Sequence, residues 1–228
     1  MIYRNYLQKC LFWALLFSSL VSCLAIAKGV SGFNNPKVIS KNEVLTETYN
    51  RFAKKTNCTD LIYNKAATKD EIINIISKSF NGDLNVYDYL GSQICFDNKI
   101  KCSSYNLDSL LKNEALTICE NTKNLNTILK NMIDLKTGLK PEKLKLKKND
   151  RVVIFYWSTF VSSKKRIKEE FDYLYNSLNS NKYNYHFYRV NCDLLDEWNL
   201  KKGAELKTKF TKIDNRRYDL EFGKLPWK

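Results

Sequence analysis

Seven cysteines and a single histidine are the side chains of this 228-residue sequence best suited to reactive chemistry. A thiolate exchanges disulfides and binds soft metals, and an imidazole moves protons or ligates a metal near neutral pH. Spacing decides between these roles. The cysteines fall at Cys10, Cys23, Cys58, Cys95, Cys102, Cys119 and Cys192, with no C-x-x-C pair, so neither a redox dithiol nor a zinc knuckle is indicated. His186 stands alone, which excludes mechanisms needing two imidazoles and zinc sites built on several. It lies in the alternating run "YNYHFYRV", the pattern of a strand side chain. No Gly-rich phosphate loop, nucleophile elbow or telling carboxylate pair is present. No catalytic, cofactor-binding or metal-binding residue is assigned, and the chain leans away from being an enzyme.

The cysteines instead suggest export. "MIYRNYLQK" carries Arg4 and Lys9 without an acid, and the apolar "CLFWALLFSSLVSCLAIA" follows, ended by Lys28. A positive segment before such a run is a secretion signal over residues 1–27. Three readings fit it. "LVSC", Leu20 to Cys23, resembles the lipobox of bacterial lipoproteins, which makes Cys23 the lipidated residue and is the favoured reading. "AIA" before Lys28 fits ordinary signal peptidase, and the run is also near the ~20 residues that span a bilayer uncleaved. In each, the remainder leaves the cytosol, as a membrane-anchored lipoprotein or as a secreted or lumenal protein. Asn57 opens "NCT", a glycosylation acceptor in a eukaryotic source.

Outside the cytosol thiols oxidise. Cys95 and Cys102 flank "FDNKIK", whose Asp97–Asn98 pair suits a turn, so these two are expected to pair, leaving Cys58 to pair with Cys119. Cys192 is then odd, a buried free thiol.

A 44% apolar and 13% aromatic composition describes a folded chain, and seven glycines with three prolines leave little room for long linkers. The net charge of +14 favours anionic surfaces as partners. No nucleic-acid-binding module accompanies it, so nucleic acid is not the expected partner.

Four stretches position these residues. Residues 28–42 form a short tether. Residues 43–135 read as a helical, cysteine-containing region. "EVLTETYNRFAKKT" sets Val44, Tyr49 and Phe52 along one side, and "TKDEIINIISKSF" opens on a Thr68/Glu71 capping box. A longer helical pattern runs from Leu107 through Leu110, Leu111, Leu116, Ile118 and Leu125 towards Met132 and Ile133. Residues 136–150 are a basic linker; 135–148 hold six lysines against one glutamate. From Arg151 the period changes. "RVVIFYW" suits a strand covered on both faces. "SSKKRIKEEFDYLYNSLNS" is an amphipathic helix capped by Ser162 or Ser163, with Ile167, Phe171, Leu174, Tyr175 and Leu178 inward. "KYNYHFYRVNCD" is a second strand, and "LLDEWNLKKGAELKTKFTKI" reads as helical with a break at Gly203. Strand, helix and strand in this order imply a parallel α/β unit.

"VVIFYWSTFVSSKKRIKEEFDYL" resembles the first strand, active corner and first helix of the thioredoxin superfamily, most closely its TlpA/ResA-like extracytoplasmic branch. Tyr156, Trp157, Ser158, Thr159 and Phe160 match the aromatic run before the dithiol in that branch. Asn191 and Asp193 match the Asn-x-Asp turn that ends the family's second strand. The resemblance covers residues 144–200, about a quarter of the chain. It implies a partial thioredoxin-like domain over 151–228, incomplete because the family continues into a cis-proline, a hairpin and a helix.

The dithiol itself has no counterpart, since its two positions fall on Val161 and Lys164. Trp157, Phe160, Val161, Ser162, Ser163 and Lys164 therefore form a vacated active-site corner. What the resemblance implies is a non-redox binding or assembly module, holding a protein partner at that corner. The alternatives are an envelope thiol–disulfide oxidoreductase and a small secreted basic structural or effector protein.

Overall fold

The computed structural model describes residues 33–81, 85–96, 107, 110–112, 117–120, 122–212 and 218–228. The expected signal with Cys23, the first part of the tether, and Cys102 lie outside these residues.

The apolar run at 152–157 lies in β7 (Asp150–Trp157), and its alternation feeds two cores. Val152, Ile154 and Tyr156 pack into one, and Val153, Phe155 and Trp157 into the other. Six successive apolar or aromatic positions need cover on both faces, and here they have it. Beside β7 runs β8 (Asn184–Asn191), parallel to it from Asp150↔Asn184 to Trp157↔Asn191. The α4 helix (Lys164–Asn179) connects them, burying Ile167, Phe171, Leu174 and Leu178 as the spacing predicts.

The sheet does not stop at these two strands. Its order is β3 (Asn85–Tyr87), β7, β8, β2 (Cys58–Tyr63) and β6 (Met132–Asp134). β2 lies parallel to β8, while β3 and β6 close the edges antiparallel. The region 43–135, expected as helical, therefore supplies three of the five strands of one mixed sheet. Two of its helices do form. α1 (Lys41–Arg51) starts two residues earlier than predicted because Ser40 caps it: Glu43 N–H donates to Ser40 Oγ, and Ser40 N–H donates to Glu43 Oε2 at 2.8 Å. Tyr49 on its predicted stripe faces solvent, 63% exposed. α2 (Lys69–Asn81) opens on the predicted box, with Glu71 N–H donating to Thr68 Oγ and Thr68 N–H to Glu71 Oε2.

The long helix expected over 107–133 is not found in the described part of that stretch. Leu107, Leu110 and Leu111 are helical, but β4 (Ile94–Cys95) pairs with β5 (Thr117–Ile118), and the short α3 (Leu125–Leu129) precedes β6. Ile118, predicted inward, is 51% exposed. The helix expected over 194–213 also gives way in its described part, 194–212. β9 (Leu194–Leu195) pairs in parallel with β1 (Val38–Ile39), then a single 3-10 turn (Asp196–Trp198) ends at Asn199 with φ 61°. Further on, β10 (Thr208–Lys212) and β11 (Tyr218–Phe222) form an antiparallel pair. Leu194, Leu195, Trp198, Leu200 and Leu206 are all buried. Those apolar residues are spaced for an irregular chain lying on the core, not for one helical stripe. Gly203, at φ 79°, turns that chain so that its N–H reaches the Val38 carbonyl.

Candidate functional site

β7 hands its chain to α4 through residues 158–163. Several of these positions are fixed by partners from elsewhere in the chain. Ser158 is fully buried and its hydroxyl bonds the Ser79 hydroxyl of α2 at 3.1 Å. Thr159 donates twice to Asp193, from its N–H at 3.0 Å and from its hydroxyl at 2.7 Å. Asn191 Nδ2 donates to the same carboxylate at 2.6 Å, and Asp193 N–H returns a bond to Asn191 Oδ1. The backbone N–H of Cys192 bonds the Trp157 carbonyl. The Asn-x-Asp turn after β8 thus clamps the end of β7. Burial raises the Asp193 carboxyl, opposed by the bonds from Asn191 and Thr159 and by the Arg51 charge.

At the helix start, Ser163 is the N-cap, its Oγ accepting from Arg166 N–H at 3.3 Å. Val161 is half-buried against the core. Lys164 is 57% exposed, with its ammonium 3.3 Å from Glu47 of α1. The two aromatics of the corner are not presented to solvent: Trp157 and Phe160 are 1% and 2% exposed. Trp157 stacks edge-on with Phe52 and lies beneath the Arg51 guanidinium, and Phe160 packs on Phe80. The Ser162 carbonyl faces Arg51 Nη1 at 3.5 Å, while its hydroxyl is buried without a partner among the described residues.

The sulfur atoms are arranged otherwise than the local turn suggested. Cys95 is bonded to Cys119, not to Cys102, and Cys58 is a free thiol. The β4–β5 pairing causes this, because it sets Cys95 opposite Thr117, two residues before Cys119. Cys192 is the buried free thiol expected. Burial pushes the Cys58 thiol up to about 12 and that of Cys192 higher still, so both stay protonated at neutral pH. His186 is a strand residue with Nε2 3.9 Å from Asp150 Oδ2. Among the described residues no group of three or more metal-ligating side chains gathers, and no helix is long and apolar enough to cross a membrane.

Two polar features escaped the sequence reading. Arg189 on β8 makes a bidentate pair with Asp60 of β2, at 2.7 and 2.8 Å, with its guanidinium over the rings of Phe52 and Phe171. Lys78 sits on the buried side of α2, over the rings of Tyr63 and Tyr156. Its only signal was a lysine interrupting the apolar spacing between Ile76 and Phe80.

No family model matches the chain, and no curated protein or solved structure matches it either.

Proposed function

We propose that this chain is an exported, membrane-attached binding or assembly protein on a thioredoxin-like scaffold that has lost its dithiol. One observation carries the reading: α4 starts at a strand corner where an apolar Val161 and an ion-paired Lys164 occupy the two positions that a dithiol would need. A helix N-terminus lowers the pKa of a thiol placed there, and that is what makes such a corner a redox site. Here the helix dipole has no sulfur to act on. The parallel β7–β8 pair joined through α4, and the clamp from Asn191 and Asp193, support the scaffold half of the proposal. The antiparallel strand beside β7 is the upstream β3, while the downstream β10–β11 pair forms a two-stranded sheet of its own.

A partner at the corner would meet Ser163, Lys164 and Lys165 instead of Trp157 and Phe160, since the aromatics are core. Contact there is therefore polar and cationic. The test is insulin reduction by the full chain with dithiothreitol. No rate above the uncatalysed background is expected, and turnover would overturn the proposal. Membrane attachment is tested separately, by a diacylglyceryl mass on Cys23.

A further inference from the structure

We propose that the cavity beside Lys78 binds the oxyanion, carboxylate or phosphoryl, of a small organic ligand. This site uses the opposite sheet face from Trp157 and stands independently of the thioredoxin-like reading. Tyr156, the second-last residue of β7, lines the cavity, and the lysine beside it also lies over Tyr63, the last residue of the parallel strand β2. The carboxyl ends of parallel strands are where open α/β sheets take their ligands. Over these ends α2 places Lys78, its ammonium 5.1 Å from the Tyr156 ring centroid and 5.6 Å from that of Tyr63.

The adjoining cavity has a volume of about 310 Å³, within the size range of small-molecule sites. Lys78, Lys123, Asn74, Gln93 and Thr122 line it, with Tyr156 as an aromatic wall. No Asp or Glu is among its lining residues. Lys78 thus rests on aromatic faces with no carboxylate paired to it among the described residues. Burial holds its ammonium below the usual lysine range, and the like charge of Lys123 adds to this. Lys78 is half-buried, so its charge is partly desolvated, and a bound anion would offset that cost. The phenols and thiol around Lys78 and its cavity, Tyr63, Tyr87, Tyr156 and Cys192, all have raised pKa values and carry no negative charge at neutral pH. None of them can take the anion's place.

The full chain, labelled with ¹⁵N, is titrated with inorganic phosphate and separately with acetate, against sodium chloride at matched ionic strength. We expect saturable shifts at the amides of Asn74, Lys78, Gln93 and Thr122 with phosphate or acetate. Tighter phosphate binding identifies a phosphoryl ligand, and equal or tighter acetate binding a carboxylate. Lys78→Met, which keeps the aliphatic stem, should weaken binding about tenfold or more, the effect of one charge-assisted bond. Lys123→Met tests the same site from an exposed position where folding is not at stake, and should also weaken binding. Shifts no greater than with chloride, or affinities unchanged in Lys123→Met and in any folded Lys78→Met, overturn the proposal.

Discussion

Arg51 lies over the indole of Trp157, 5.9 Å from its centroid, while its Nε holds Glu47 at 3.1 Å. Glu47 in turn takes Lys164 at the start of α4. The last turn of α1 is thereby latched to the strand–helix corner through a guanidinium that is only 5% exposed. Arg51→Ala removes packing as well as charge and leaves Glu47 with one partner. It should lower stability by about 2 kcal/mol, and Glu47→Gln by less. Urea unfolding of the two variants checks the order.

Asp193 is the acceptor on which the corner closes. Asp193→Ala leaves the Thr159 N–H, the Thr159 hydroxyl and Asn191 Nδ2 without their acceptor in a dry site. A loss of about 3 kcal/mol is expected, against about 1 kcal/mol for Thr159→Val, which removes one bond. Equal Tm shifts in the two variants would contradict this assignment.

Sulfur chemistry should follow the fold and not the local sequence. Peptide mapping of unreduced protein is expected to return Cys95 linked to Cys119, and Cys192 should be alkylated only after denaturation. The bond closes a sequence separation of 24 residues. Cys95→Ser with Cys119→Ser should therefore cost about 3 kcal/mol in the loop-entropy picture.

The α1 cap sets a pH dependence. Hydrogen bonds from the Ser40 hydroxyl and backbone hold the Glu43 carboxyl down, from its ordinary 4.5 to about 2. A depressed pKa means the folded state binds fewer protons than the unfolded chain. Its stabilisation is full above pH 4.5 and disappears as the pH falls towards 2. Ser40→Ala should cost about 1 kcal/mol at neutral pH. Chemical denaturation at pH 7 and near pH 2 should show that difference shrinking on acidification.

Local signals were legible where the pattern was long or the cap was self-contained. The Thr68/Glu71 box, the two-faced run of β7 and the Ile167, Phe171, Leu174, Leu178 stripe of α4 all formed as the residues indicate. What escaped depends on distant pairing. β3 and β6 are three residues long and exist because β7 and β2 offer edges, so no period marks them. β2 carries a charged Asp60 that makes sense only opposite Arg189, 129 residues away. Leu194 to Leu206 were apolar enough to suggest a helix, but β1 claims the first two as strand partners. At the corner, the absence of sulfur was readable from Val161 and Lys164. The burial of Trp157 and Phe160 was not, because it depends on Phe52, Arg51 and Phe80 arriving from upstream.

The most direct test restores what the corner lacks. Val161→Cys with Lys164→Cys puts two thiols at the α4 N-terminus, and the variant is equilibrated against glutathione buffers with the 161–164 link followed by mass spectrometry. The account predicts an intramolecular disulfide with a midpoint between about −270 and −120 mV, the span of such corner dithiols, and insulin reduction that the unaltered chain lacks. Failure of the pair to close in a folded variant, or insulin turnover by the unaltered chain, would contradict it.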